Sequence, residues 1–177
     1  MNCLHDIPPG GDAPKKVNVI IEIPSGSRNK YEYDKTYGIL KLDRVLYSPV
    51  HYPADYGFVP QTLWHDGDPL DILVISRFPL IPGILVEARP IGALEMIDKG
   101  EDDIKIIAMN ANTPTHQKIN EIEDLPHLMV EEIKHFFKMY KELQGVKVNV
   151  NKTLARKDAE KAILEAIKMY KEKNKKE

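Results

Sequence analysis

The sequence predicts a mainly β (α+β) fold, a small closed barrel with two C-terminal helices packed outside it, on three observations. Through the first two-thirds of the chain, short apolar stretches alternate with Pro and Gly punctuation. About five of these stretches read as main strands with glycines at their bends, the pattern of a small barrel. In the last third, apolar residues recur at helical spacing instead.

Val17, Val19, Ile21 and Ile23 alternate with Asn18, Ile20 and Glu22, which puts Glu22 on one strand face with Asn18. Pro24-Ser25-Gly26 turns the chain, and Lys30, Glu32 and Asp34 alternate with Tyr31 and Tyr33 on the returning strand. A hairpin here would set Glu22 beside Lys30 and Glu32. Further strands are expected over 40–46, 72–75, 84–91, 92–97 and 105–109, whereas Tyr52-Pro53-Ala54-Asp55-Tyr56-Gly57 reads as a turn with core aromatics. Met129, Ile133, Phe136, Phe137 and Tyr140 form a helical stripe, with Asp124 as its cap, Pro126 in the first turn and Gly145 at its end. A second amphipathic helix carries Ala159, Ala162, Ile163, Ala166, Ile167 and Tyr170. The chain is expected to be one domain over 1–177, with an N-terminal arm at 1–16 and a solvated tail at 171–177.

Composition excludes several classes. The 177 residues are 42% hydrophobic and 29% charged, as a folded globular domain requires. A net charge of −2 gives no global positive field for a polyanion or an anionic membrane, so any phosphate chemistry must be local. No basic segment leads into an apolar run at the start and no run is long enough to span a bilayer, which makes the cytoplasm the expected location. The one cysteine, Cys3, rules out an internal disulfide and a cysteine-rich zinc site. The six histidines are dispersed, and His127 and His135 on the first helix are expected to face solvent or a subunit partner. Phosphate-binding P-loop, dinucleotide, zinc-protease and serine-hydrolase motifs are absent.

The sharpest local feature is Asp66-Gly67-Asp68-Pro69-Leu70-Asp71, leading into Ile72-Leu73-Val74-Ile75. Gly67 and Pro69 impose a tight turn that crowds three carboxylates. Two carboxylates about 4 Å apart repel by roughly 1 kcal/mol in water and roughly 4 kcal/mol near a protein surface, so a cation is favoured. Taken alone, the turn favours metal only modestly over a hydrophilic bend. An EF-hand is excluded, because its required Gly and Glu positions hold Asp71 and Arg77. A second acidic group, Asp98-Lys99-Gly100-Glu101-Asp102-Asp103, reads by itself as a hairpin loop. All-oxygen ligands would select Mg²⁺, with Mn²⁺ as the substitute. Arg44 follows Leu40 and Leu42 on one strand face, and an inward arginine needs an anion.

Taken in order, these residues resemble the soluble family I inorganic pyrophosphatases from about Ile20 to Leu143. The resemblance is carried by Ile21-Glu22-Ile23-Pro24, Lys30-Tyr31-Glu32, Leu42-Asp43-Arg44, Tyr52-Pro53 with Tyr56-Gly57, and the 66–71 hexapeptide. It continues through Arg89-Pro90-Ile91-Gly92, the Asp98/Asp103/Lys105 spacing, and His135-Phe136-Phe137 with Tyr140-Lys141. Each piece is weak alone, and their ordered co-occurrence is specific.

The resemblance implies an OB-like five-stranded barrel, a homohexamer, and hydrolysis of pyrophosphate to two phosphates by a metal-activated water with several Mg²⁺ ions. It implies metal ligands at Asp66, Asp71, Asp98, Asp103 and Glu22, and a general base at Asp68. Lys30, Arg44, Tyr56, Lys105, Tyr140 and Lys141 would bind the substrate, with Glu32 and Tyr52 in support. The chain departs from the family pattern at Val148-Asn149-Val150-Asn151, where a Gly-Trp pair is usual, and at Ala108-Met109-Asn110-Ala111 in place of a Val-Pro ending. Neither touches an implied ligand. Two other classes compete: a single-stranded nucleic-acid module on the same barrel, which the acidic loops disfavour, and a phosphohydrolase of broader range.

Overall fold

A computed structural model describes residues 2–98 and 100–175. Met1 of the expected arm, Lys99 of the second acidic loop, and Lys176 and Glu177 of the expected tail lie outside the described residues. The strands are β1 (Val17–Ile23), β2 (Asn29–Asp34), β3 (Ile39–Val45), β4 (Asp55–Phe58), β5 (Asp71–Ile75), β6 (Leu85–Asp98) and β7 (Glu101–Asn110). Helix α1 (His127–Met139), strand β8 (Val148–Ala155) and helix α2 (Arg156–Asn174) follow.

Pairing runs β1–β4–β5–β7–β6, and β6 returns to β1, which closes a ring of five strands with β8 added at β6. Only β5 and β7 run parallel within it. Closure leaves few open edges, the usual reward of a barrel. One face of the ring gathers Val17, Val19, Ile21, Ile72, Val74, Ile106 and Ala108, and α2 packs Ala159, Ile163 and Ala166 against it. The other face gathers Leu73, Ile75, Leu94, Met96 and Ile107 beneath Ile133, Phe136, Phe137 and Tyr140 of α1. Each Val, Leu, Ile, Met or Phe among these, fully buried, contributes roughly 1.5–3 kcal/mol. Alternation along β5 and β7 then puts Asp71, Asp103 and Lys105 on the α1 side, where the apolar layer ends.

Several expectations change. β1 and β2 do not form a hairpin: β2 pairs with β3 in a separate two-stranded sheet laid outside the barrel. β3 is therefore mostly exposed, with Leu42 at 51%, and its apolar residues do not face a barrel interior. Glu22 does not share Asn18's environment, because Glu22 is the extra residue where the β1–β4 register shifts between Ile21 and Ile23. Asn18 donates to the Pro8 carbonyl at 2.9 Å, whereas Glu22 is buried under the hairpin.

The two strands expected over 84–97 are one strand, β6, whose register shift between Pro90 and Gly92 absorbs the proline. The supposed turn at 52–57 contains β4, a ring strand made inconspicuous by its shortness and flanking prolines. α1 has Pro126 at its N-cap. Asp124 instead closes a preceding 3-10 turn, accepting from the Asn120 and Glu121 amides at 2.8 and 3.0 Å. Gly145 ends not α1 but a short 3-10 turn after it, in the left-handed conformation at φ 72°.

At the β1 irregularity the strands come close. A Cβ on Gly57 would stand 1.9 Å from the Ile20 carbonyl oxygen. Gly57→Ala is therefore expected to cost about 1–3 kcal/mol through forced strand separation, read as a lower urea midpoint with an unchanged slope.

Candidate active site

A cleft of about 780 Å³ opens between the outer sheet, the barrel and the end of α1. Thirteen of the residues that the resemblance implies line it: Glu22, Lys30, Glu32, Arg44, Tyr56, Asp66, Asp68, Asp71, Asp98, Asp103, Lys105, Tyr140 and Lys141. Tyr52 does not. It lies behind the wall at 2% exposure, its ring 5.5 Å from Tyr56 and 4.6 Å from Phe136.

The barrel contributes the floor. Lys105 on β7 is buried and reaches Asp71 across the parallel β5–β7 pair and Asp103 on its own strand, the latter at 2.8 Å. Burial alone would lower the Lys105 pKa, but the two carboxylates outweigh it and raise it. Burial raises the Asp103 carboxyl, Lys105 opposes this, and the Asp71 and Asp66 charges add to it. At the far end of β6, Asp98 takes an ion pair from Lys141 and a hydrogen bond from the Tyr140 hydroxyl at 3.3 Å. Its second oxygen, Oδ1, is buried without a partner. Burial pushes the Tyr56 and Tyr140 hydroxyls well above the ordinary phenol value, with nearby aspartates adding to the shift, so both keep the proton they can donate.

The outer sheet contributes the opposite wall. Lys30 pairs with Glu32 and, at 3.4 Å, with Asp43, which also holds Arg44. Arg44 thus meets its anion next door in sequence rather than by pointing into a core. Glu22 ties the two sheets together by accepting the Tyr33 amide at 2.7 Å.

Burial raises the Glu22 carboxyl to about 8 from an ordinary 4.5. Without metal, the folded chain therefore keeps a proton that the unfolded chain releases, and this contribution is complete below about 4.5 and lost as the pH rises to about 8. In EDTA, the urea midpoint is expected to fall across that interval more steeply than in Glu22→Gln; parallel pH profiles would refute the assignment.

The acidic turn stands at the mouth. Gly67 adopts φ 86°, which a side chain rarely tolerates, and the Asp66 carboxylate accepts the Asp68 amide at 3.0 Å. Asp68 itself is 64% exposed and pairs with Lys35 at 2.6 Å. Lys35 and Asp43 are the contributions that sequence reasoning missed. Asp43 was visible only as a neighbour of Arg44, and Lys35 as an ordinary turn lysine. Glu101 and Asp102 also line the cleft. His127 and His135 are exposed and stand apart from it.

The donors fit hard divalent cations: the five implied ligands are all carboxylates, no sulfur or imidazole lines the cleft, and Asp98 has an unpartnered buried oxygen. As they stand, no three acids among the described residues form a ready-made cage. Lysines lie between them, so ions entering here would exchange places with ammonium groups.

Comparisons agree with one another. The family profile for inorganic pyrophosphatase matches residues 19–171. The inorganic pyrophosphatase of Geobacillus stearothermophilus is 50% identical over 158 residues, which is 89% of this chain and 96% of that protein. Soluble inorganic pyrophosphatase 2 of Chlamydomonas reinhardtii is 46% identical over 168 residues, 95% of this chain and 88% of that protein. The crystal structure of the Thermus thermophilus inorganic pyrophosphatase superposes with a TM-score of 0.92 at 45% identity, covering 96% of this chain and 99% of the other.

Proposed function

Because the chain belongs to the inorganic pyrophosphatase family and hydrolyses pyrophosphate to two phosphates, we propose that the cleft is where it does so, with Asp68 as the general base. Asp66, Asp71, Asp98, Asp103 and Glu22 are the residues that hold metal, Mg²⁺ first and Mn²⁺ as substitute. When bound, such cations acidify water and neutralise phosphate oxygens. Lys30, Arg44, Lys105 and Lys141 bind the phosphate oxygens as charges, and Tyr56 and Tyr140 as neutral donors. Water's oxygen attacks one phosphorus, its proton passes to Asp68, and the bridging P–O bond breaks to release phosphate. Glu32 and Asp43 keep Lys30 and Arg44 aimed at the cleft, and Tyr52 backs Tyr56.

The observation that supports this reading most is the interleaving of charge: Asp68, Asp71, Asp98 and Asp103 each lie beside a lysine they can surrender, and Lys30, Arg44, Lys105 and Lys141 each lie beside an acid they can leave for phosphate. A purely structural ion-pair network would not need an open cleft over it.

The test is phosphate release from pyrophosphate, titrated with Mg²⁺ for the wild type and Asp71→Ala. Asp71→Ala is expected to move half-activation to about tenfold higher Mg²⁺ or more; superimposed curves would count against Asp71 as a ligand. No helix among the described residues is long and apolar enough to cross a membrane, and a cytoplasmic location is part of this proposal. So are a single domain over 1–177 and a homohexamer, for which exposed Tyr37, Ile39, Phe78 and Ile81 offer apolar contact surface. Light scattering on the eluted protein tests the assembly.

A further inference from the structure

Lys35 has no role in the chemistry assigned so far, yet it sits on a constructed support. The turn between β2 and β3 is pinned by Asp34, whose carboxylate accepts the Thr36 and Tyr37 amides at 2.9 and 3.0 Å. The Gly38 amide closes the turn on the Asp34 carbonyl at 2.8 Å. From this support the Lys35 side chain leaves its own sheet and crosses the mouth to Asp68, 33 residues on, at 2.6 Å.

Lys30 has acids on its own sheet, Glu32 and Asp43, and Lys105 has Asp71 and Asp103 on the barrel floor. Among the described residues, Lys35 is the lysine whose ion pair bridges the outer sheet to the acidic turn. Both partners are more than half exposed, at 54% and 64%, so the pair is weak and cheaply broken. While it stands, the ammonium occupies a carboxylate oxygen of Asp68 that an incoming proton must reach. Pyrophosphate, with several negative charges on compact oxygens, attracts an ammonium more strongly than one exposed carboxylate does.

We infer that Lys35 is a further pyrophosphate ligand, one that holds Asp68 in the substrate-free cleft and passes to a phosphate oxygen when substrate enters. The transfer binds substrate and uncovers the base in one movement. It deepens the proposed role of Asp68 and rests on it.

The experiment is a double-mutant cycle on equilibrium binding of methylenediphosphonate, whose P–C–P bridge water cannot cleave, with Mg²⁺ present. Lys35→Met is expected to weaken binding by about threefold to tenfold. Asp68→Asn should tighten it by about twofold to fivefold more when Lys35 is present than in the Lys35→Met background, because only then is a competing partner removed. Lys35→Arg should keep this difference. In turnover, Lys35→Met should raise KM more than it lowers kcat. Unchanged binding in Lys35→Met, or the same Asp68→Asn effect in both backgrounds, would overturn the exchange. Failure of the base assignment would show separately, as wild-type turnover by Asp68→Asn.

Discussion

Asp68→Asn is expected to lower kcat on pyrophosphate by about 10²–10⁴-fold, the usual worth of a positioned proton acceptor, while the protein stays folded. Asparagine has the same size and cannot accept the proton. The turn should survive the change, because its internal hydrogen bond uses the Asp68 backbone amide and the Asp66 carboxylate, neither of which is altered. Gly67 keeps the backbone in its left-handed bend. Asp68 is too exposed for its ion pair with Lys35 to carry much stability. Steady-state kinetics with a thermal melt on the same sample gives the answer, and turnover at the wild-type rate would remove Asp68 from the chemistry.

Lys105→Met is expected to destabilise the metal-free protein by about 3–5 kcal/mol. Methionine fills similar space, so the loss is electrostatic rather than a cavity. Asp71 and Asp103 would be left facing each other on neighbouring parallel strands with no cation between them. Part of that loss should return on adding Mg²⁺, since an ion on the two acids does the neutralising that the ammonium did. Denaturant curves in EDTA and in Mg²⁺ therefore belong together. Equal destabilisation in both would mean that the acids take no cation in place of Lys105.

How much of this could be read beforehand differs by element. The strands β5 and β7 were legible, because Ile72-Leu73-Val74-Ile75 and the run around Lys105 are strands by length and composition, although the expected bounds stopped short of Asp71 and Asp103. The helices were legible from their stripes, though α1 begins later than Asp124 suggested. β4 was hidden, as four residues beside Pro53 and Pro60 look like a bend until Gly57 is seen packed on Ile20. Nothing local announces that β2 and β3 leave the barrel, since pairing partners distant in sequence are set by closure of the whole ring. For the same reason, the Asp66–Asp71 turn argued only modestly for metal. Its weight came from the ordered resemblance, which named Lys30, Lys105 and Lys141 as substrate ligands but not their pairing with the acids. Lys35 carried no pattern to find.

The outer sheet rests on more than the barrel. Leu4, with Cys3 and Ile7 against it, packs onto Tyr33 and Phe58, and the Cys3 amide donates to the Tyr33 hydroxyl at 3.1 Å. Lys30, Lys35 and Arg44 ride on that sheet, whereas Asp71, Asp103 and Lys105 are rooted in the closed ring. Half of the proposed apparatus is thus splinted by Cys3, Leu4 and Ile7, remote from the proposed base. Removing that splint would leave a chain that still melts cooperatively but grips its substrate poorly, and damage there would register as lost activity well before it registered as lost structure.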